Sequence, residues 1–258
     1  LIVSQKVNGK PRYIIGDPGN GGGKNNTYHA KLKYNFDPDK SLTYAFTHDE
    51  FRYWSDNPHS YIHDAKGNAL FEGSVKAPNG RWINLDESDF TDYYGRRDTN
   101  IHSLRYDDEA NKITANLGVS NVSDAGYSTS YYFDGNKPGS DTKYPSTSYK
   151  LDFQKVWDNL GRHTVVAGFN IQKDDMDRTT SKLAHWHDWD SATSVVDKTG
   201  GKDDIYVAFV QDEYRWNDQL KLYTGVRFDH YKKHGGYDHN YSKKTDTEYD
   251  ETSYNQWS

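Results

Sequence analysis

The residues with the richest binding chemistry lie in one short run, KLAHWHDWD, at positions 182–190. Imidazole and carboxylate groups are ligands for transition metals, and indole rings stack on planar ligands. Two histidines spaced two residues apart in a loop are a weak metal motif, so we predict no metal site formed by the protein alone. The run predicts a ligand-binding loop, and the open alternative is a loop that only packs on its neighbours. Its candidate residues are His185, Trp186, His187 and Trp189.

A second group of candidates lies in segment 54–98, where arginine stands beside tyrosine. Guanidinium and phenol side chains together offer positive charge and an aromatic face, which suits an anionic planar solute. The same residues would also serve to hold a large loop in shape. The candidates are Trp54, Tyr61, Trp82, Tyr93, Arg96 and Arg97.

Catalytic chemistry has little support. Asp174, Asp175, His187 and Asp188 supply the acids and the Asp–His pair that a barrel protease would use, but any solvated loop contains such residues. The chain has no cysteine, and the glycine-rich run 19–24 lacks the strand-to-helix context of a phosphate loop. We therefore predict no enzyme activity and no cofactor.

Composition narrows the class of protein. Only 33% of the 258 residues are hydrophobic, yet 15% are aromatic, with 22 Tyr and 7 Trp. Disordered chains are poor in aromatics, so the low hydropathy indicates a molecule with two wet surfaces rather than disorder. A net charge of -6 with no basic stripe argues against nucleic acid as a partner. No apolar run approaches the length of a transmembrane helix, whereas transmembrane strands need only about 9 to 11 residues.

The elements that must position the candidate residues follow from a period of two. Residues 28–36 alternate between apolar and polar side chains, which is typical of a strand with one apolar face. The pattern predicts four antiparallel hairpins, although the mixed faces of 205–216 leave that strand without an assigned orientation. The hairpins pair 28–36 with 41–47, 99–106 with 113–120, 146–157 with 163–172, and 205–216 with 220–229. The side chains predicted to face a water-filled lumen are His29, Lys31, Lys33, Lys221, Arg227 and Asp229.

Connections between these strands alternate in length. Turns within hairpins are short, and the segments that join hairpins are long: 54–98, 122–145, 173–203 and 233–254. Tight turns on one side and long loops on the other are typical of outer-membrane barrels. We therefore predict an all-β fold, an antiparallel transmembrane β-barrel of hairpins, with outer-membrane lipid against the apolar rows. A soluble antiparallel sheet remains the alternative fold, with carbohydrate binding by the same Trp and Tyr residues as its function.

Aromatic residues gather near the strand ends, as expected for the girdles at the two membrane interfaces. The predicted girdle residues are Tyr28, Phe36, Phe51, Tyr53, Tyr149, Trp157, Tyr214 and Trp216.

The stretch AFVQDEYRWNDQLKLYTGVRFDHY, residues 208–231, carries a family resemblance. It resembles a barrel hairpin of the TonB-dependent outer-membrane receptors, in which a Gln-Asp-Glu-aromatic run turns into a Leu-x-Leu-x-x-Gly-x-Arg-aromatic-Asp strand. The matching positions are Gln211, Asp212, Glu213, Tyr214, Leu220, Leu222, Gly225, Arg227, Phe228 and Asp229. The final residues, YNQWS, resemble the start of the next strand of that family.

The resemblance implies a 22-stranded barrel filled by a plug domain. It also implies import of a ferric siderophore or similar metal chelate, driven by a TonB-type energising protein of the inner membrane. The plug, the TonB box and the barrel-closing strand of the family are not found in residues 1–258. We therefore expect the whole chain to be part of a single barrel domain, a segment of about eight strands, whose TonB contacts lie outside it.

Overall fold

The structure is a computed structural model that describes residues 2–7, 10–77, 80–131 and 137–258. The described segments form strands and one 3-10 helix, Glu87–Phe90. No helix in these segments is long and apolar enough to span a membrane. The strands are β1 Ile2–Val7, β2 Lys10–Ile14, β3 Gly16–Asp17, β4 Asn20–Asp37, β5 Lys40–Asp56, β6 His59–Ser60, β7 Gly73–Lys76, β8 Trp82–Leu85, β9 Tyr93–Asp108, β10 Ile113–Ser130, β11 Gly139–Lys143, β12 Ser146–Leu160, β13 His163–Leu183, β14 Ala192–Arg215, β15 Lys221–Asn240, β16 Thr245–Tyr249 and β17 Thr252–Trp257.

One antiparallel sheet of eleven strands dominates the fold. Its neighbours follow chain order from β4 to β5, β9 and β10, and then through β13, β14 and β15 to β16. Strands β11 and β12 both pair with β10 and β13, one above the other, and β17 pairs with β15 below β16. The four hairpins predicted from the sequence are confirmed as β4–β5, β9–β10, β12–β13 and β14–β15.

One face of this sheet is apolar across many strands. Because directly paired residues share a face, the register defines continuous rows of side chains. One such row is Leu32, Tyr44, Leu104, Leu117, Leu151, Ile171 and Tyr206. The register also assigns an orientation to β14, in which Tyr206, Ala208 and Val210 lie on the apolar face.

The opposite face is polar over the same length. The row one residue along from the apolar one is Lys33, Thr43, Arg105, Asn116, Asp152, Asn170, Val207 and Asp229. A cavity of about 400 Å³ opens on this face between the side chains of Arg105, Asn116, Asp152 and Asn170.

The exposure of the apolar side chains indicates what the apolar face of the sheet contacts. Leu32 is 70% exposed and Leu117 is 47% exposed, so no part of the chain that the structure describes covers these apolar rows. The hydrophobic core cluster among the described residues, Ile62, Leu85 and Phe90, instead lies in the connection between β5 and β9. A soluble sheet would bury its apolar rows against a second layer. An uncovered apolar band with polar side chains behind it is the arrangement of a barrel wall in lipid.

The predicted long loops are only partly correct. Segment 173–203 was expected to be a loop, but β13 continues to Leu183 and β14 begins at Ala192, and the two strands pair throughout. Most of 122–145 and 233–254 also belongs to strands, whereas 54–98 keeps a long connection between β5 and β9. Above the lipid neither face needs to be apolar, so the period-two signal disappears while the hydrogen-bonded ladder continues.

The predicted aromatic girdle needs one correction. Phe51 and Tyr53 lie in register with Arg97 and Gly95, on the face opposite to Tyr44 and Leu104. They therefore face the polar side of the sheet and are not part of a lipid-facing girdle.

Candidate functional site

The candidate residues lie beyond the apolar band, where the sheet continues past the lipid. Strand β14 has 24 residues, and a tilted strand crosses the hydrocarbon with about 9 to 11. The upper halves of β5, β9, β10, β13 and β14 therefore project out of the membrane. They carry loop 184–191, which connects β13 to β14.

Five of the predicted ligand-binding residues line one cavity at this end of the sheet, with a volume of about 460 Å³. Loop 184–191 folds back onto the sheet so that its indole rings meet the ends of β5 and β9. The five predicted residues are Trp54, Tyr93, Trp186, His187 and Trp189. Tyr94, from the segment where arginine stands beside tyrosine, also lines the cavity, and the sequence missed Ser55, Asp56 and Ser128. We call this the outer cavity, because Trp54 and Tyr94 share the face of the apolar rows.

Arg96 lies beneath the outer cavity and fixes its floor. Its guanidinium donates to both oxygens of Asp124 and to both oxygens of Asp141, at 2.9 to 3.2 Å. Its side chain is 1% exposed, and the ring of Trp189 covers it with the guanidinium carbon 4.0 Å from the ring centre. We therefore assign Arg96 to holding β9, β10 and β11 together, because its buried guanidinium is not accessible to a solute.

Acidic groups dominate the electrostatics of the outer cavity. Burial and the nearby Asp56 carboxylate raise the pKa of the Asp92 carboxyl, while His187 acts in the opposite direction. One oxygen of Asp92 and one of Asp56 are buried with no hydrogen-bond partner among the described residues. This cavity therefore disfavours anions.

A second group of aromatic residues lies on the polar face of the same strands, and we call it the inner cluster. The Tyr53 ring packs between Phe51 at 5.5 Å and Tyr93 at 6.0 Å, and Tyr127 packs against Tyr144 at 6.5 Å. Arg97 lies over the Phe51 ring at 5.9 Å. Its members are Phe51, Tyr53, Tyr93, Arg97, Tyr127 and Tyr144. Tyr93, the first residue of β9, also borders the edge of the outer cavity.

The inner cluster remains open to solvent. The Arg97 side chain is 54% exposed and meets Asp49 at 3.6 Å, and Tyr93 and Tyr127 are 40% and 39% exposed. The sequence singled out Tyr93 and Arg97 but missed Tyr127 and Tyr144, since a bulge between Val122 and Asp124 shifts the alternation of β10. The available signal was a tyrosine, Tyr127, between a glycine and a serine in that strand.

The remaining loop candidates are dispersed. Tyr61 donates to Asp17 at 2.7 Å, which lowers the pKa of the Asp17 carboxyl, and His59 contacts the same carboxylate at 3.1 Å. Trp82 is 67% exposed at the start of β8. His185 lies in loop 184–191, where its amide donates to Ser191 and its side chain is exposed.

The six residues predicted to face the lumen lie on the polar face by register. His29 contacts Thr47 at 2.9 Å, and Arg227 donates to both oxygens of Asp229 at 2.7 to 3.1 Å. Lys221 lies 2.7 Å from Glu213. Lys31 and Lys33 stand on β4 opposite Ala45 and Thr43, on the same polar face.

The predicted protease residues do not form a dyad. Asp174 accepts from Ser148 and Gln172 on the polar face, whereas Asp175 pairs with Lys202 on the other face. His187 instead packs on Trp186, with ring centres 3.8 Å apart. Within the described ranges no group of three or more His, Asp or Glu side chains is arranged to hold a metal ion.

Comparison with solved structures defines the fold. The ferric citrate transporter FecA in its unliganded form superposes with a TM-score of 0.53 and 14% identity, over 92% of this chain and 33% of that one. The ferripyoverdine receptor of the outer membrane of Pseudomonas aeruginosa, bound to ferripyoverdine, gives 0.52 and 13%, over 93% and 34%. An FpvAI–pyocin S2 complex gives 0.51 and 14%, over 85% and 31%.

The chain has the fold of part of these outer-membrane receptor barrels. It spans about one third of the length of these solved receptors. No family model and no curated protein matches the sequence. In a receptor barrel of this fold the polar face lines the lumen, so the inner cluster lies on the lumen side and the outer cavity on the outside of the wall.

Proposed function

We propose that this chain is part of the barrel of an outer-membrane receptor that takes up a metal chelate, such as a ferric siderophore, or a similar small solute. The barrel domain would be larger than this segment, and a plug outside it would receive energy from a TonB-type protein. The observation that carries the proposal is the uncovered apolar band of the sheet, with the polar face behind it.

The inner cluster supports capture of a planar anionic solute on the lumen side. Arg97 supplies an exposed positive charge, and Tyr93 and Tyr127 supply exposed rings for stacking. The outer cavity faces away from the import path and is acidic, so it does not serve the same anion. The receptor function therefore depends on the aromatic and basic residues of the inner cluster.

Spin labels test the membrane part of the proposal. Labels at Leu104, Leu117 and Leu151 of the full-length protein in vesicles should contact oxygen dissolved in the lipid. Labels one position away, at Ser103, Asn116 and Lys150, should contact a water-soluble nickel chelate. Labels at the leucines that report water or protein packing would refute the proposal.

Uptake tests the receptor part separately. Cells making the full-length protein should accumulate radioactive iron from ferric citrate or from a ferric catecholate, and collapse of the inner-membrane proton gradient should stop it. Arg97→Ala should lower uptake at least tenfold, and Arg105→Ala, a lumen-side arginine on β9 that pairs with Asp107, should leave it within twofold. Equal uptake by the two variants would remove the inner cluster from the mechanism.

A further inference from the structure

A cavity of about 830 Å³ lies above the membrane on β13 to β16 and shares no lining residue with either aromatic group. Four of its lumen-side residues form one row across four strands. That row is Met176, Gly201, Gly236 and Tyr249.

The two glycines leave the middle of the row without side chains. A Cβ at Gly201 would lie 3.5 Å from the Cα of Gly236, which shows that the two bare backbones stand side by side. Three strand spacings of about 4.8 Å separate the strands of Met176 and Tyr249. The Tyr249 side chain lies close to Gly236, where a Cβ would stand 3.4 Å from its ring, so Met176 and Tyr249 border an open floor that is centred on Gly201. Met176 and Tyr249 are more than half exposed, as walls of an open cavity would be.

Unpaired charges border this floor. Lys233 and Asp203 lie in the adjacent row on the membrane side, and Asp238 lies in the adjacent row on the other side. None of these three side chains forms an ion pair or a hydrogen bond within the described part of the chain, although Asp203 and Lys233 are cross-strand partners. Each of these two rows lies two residues along the strands from the glycine row, a distance of about 6.7 Å. Substituents on one ring can therefore reach both a positive and a negative side chain.

We propose that this glycine floor binds a planar aromatic ring that carries both an anionic and a cationic group. The ring lies on the Gly201 and Gly236 backbone, with the Met176 sulfur at its edge and the Tyr249 ring beside it. Lys233 binds the anionic group, and Asp203 or Asp238 binds the cationic group. The site deepens the proposed function and rests on it, because the cavity belongs to the import path only if the apolar face meets lipid.

Saturation-transfer NMR on the full-length protein in lipid nanodiscs tests the site, with tryptophan as the probe. Tryptophan should bind, while tryptamine and indole-3-propionate, which each lack one charge, should bind at least fivefold more weakly. Gly201→Ile should weaken tryptophan binding at least tenfold, since its side chain fills the floor. The backbone of Gly201 has no positive φ and a Cβ there makes only ordinary contacts, so the variant should fold.

Gly118→Ile is the matched control, because Gly118 lies on the same face and also accepts a Cβ in ordinary contact. It should leave tryptophan binding within twofold. Wild-type protein that does not bind tryptophan, or Gly201→Ile that binds it normally, would overturn the site. If the spin labels still report lipid at Leu117, that outcome removes only the glycine floor and leaves the receptor proposal standing.

Discussion

The indole ring of Trp189 lies flat over the buried guanidinium of Arg96, 4.0 Å from its carbon, and donates through Nε1 to Ser128 at 3.1 Å. These two contacts fasten loop 184–191 to the part of the sheet that projects from the membrane. The Tyr94 ring completes the contact at 5.0 Å from Trp189. The loop is therefore anchored by a charged group that is itself held by two carboxylates.

Replacing Arg96 with methionine should release this anchor. Asp141, whose side chain is 3% exposed, would lose both guanidinium hydrogen bonds and keep only the longer contact with Lys143 at 3.9 Å, at a cost of about 3 kcal/mol. Hydrogen exchange of the β11 amides should become more than a hundredfold faster. Arg178→Met is the control. The Arg178 side chain is 48% exposed and lies 3.9 Å from Asp197, so its loss should lower the free energy of unfolding by less than about 1 kcal/mol. Unchanged exchange in the Arg96 variant would exclude an anchoring role.

An added charge at the level of the apolar band should destabilise the barrel only when it lies on the apolar face. Leu117→Arg places a guanidinium toward the hydrocarbon and should destabilise the folded barrel by about 2 to 4 kcal/mol. Asn116→Arg, one residue away on the polar face, should change stability by less than about 1 kcal/mol. Urea unfolding in lipid vesicles measures both, and equal effects of the two arginines would contradict the assignment of the faces.

The raised pKa of Asp92 gives a pH dependence of defined sign. The folded protein holds the Asp92 proton more tightly than the unfolded chain, so this carboxyl lowers stability as pH rises above its unfolded pKa of about 3.9. Asp92→Asn should therefore raise the urea midpoint at pH 7 and have no effect at pH 3. Tryptophan fluorescence follows the transition.

Asp64→Asn should change the urea midpoint at pH 7 in the opposite direction to Asp92→Asn. Hydrogen bonds from Asn68 and Lys66 lower the pKa of Asp64, so this carboxylate stabilises the fold above its unfolded pKa, and the contribution is lost as pH falls. Its substitution should lower the midpoint at pH 7 and matter less at pH 3. Two variants that shift the midpoint in the same direction at pH 7 would contradict the electrostatic explanation.

The Tyr53 ring occupies the space above Gly95. A Cβ at Gly95 would overlap that ring, so Gly95→Val should displace Tyr53 and destabilise the pairing of β5 with β9 by about 1 to 3 kcal/mol. The double variant Gly95→Val with Tyr53→Ala should recover much of this loss, as a double-mutant cycle would show. If the two single variants lower the protection of the β5 amides from hydrogen exchange and the double variant shows the sum of both losses, the two positions do not interact.

The sequence predicted the membrane-level fold well because lipid enforces the alternation of side chains. Leu32, Leu117 and Leu151 fall in one row, as their period-two pattern requires. The mixed strand β14 could not be oriented from its sequence, because Asp212 lies on the lipid-facing side near the turn, where His163 contacts it at 2.7 Å. Only the register with β13 and β15 resolves its faces.

The positions of the candidate residues were harder to predict than the fold, because residue type does not determine which face of the sheet a side chain lies on. Arg96 and Arg97 are adjacent in sequence and point to opposite faces, one buried under Trp189 and the other exposed over Phe51. The glycine floor could not be predicted from the sequence, because Gly201 and Gly236 come together only when their strands pair through a bulge. Long-range register supplied what composition and spacing lacked.

The order of strands ends at β4, whose far side presents a full row of backbone N–H and C=O groups to no described strand. In hydrocarbon each such group costs several kcal/mol, so this edge cannot remain open inside a bilayer. Insertion of the sheet is therefore coupled to the docking of another strand along β4. A mutation that blocks the docking should drive the whole wall into aggregates, even though every residue of the wall itself is intact.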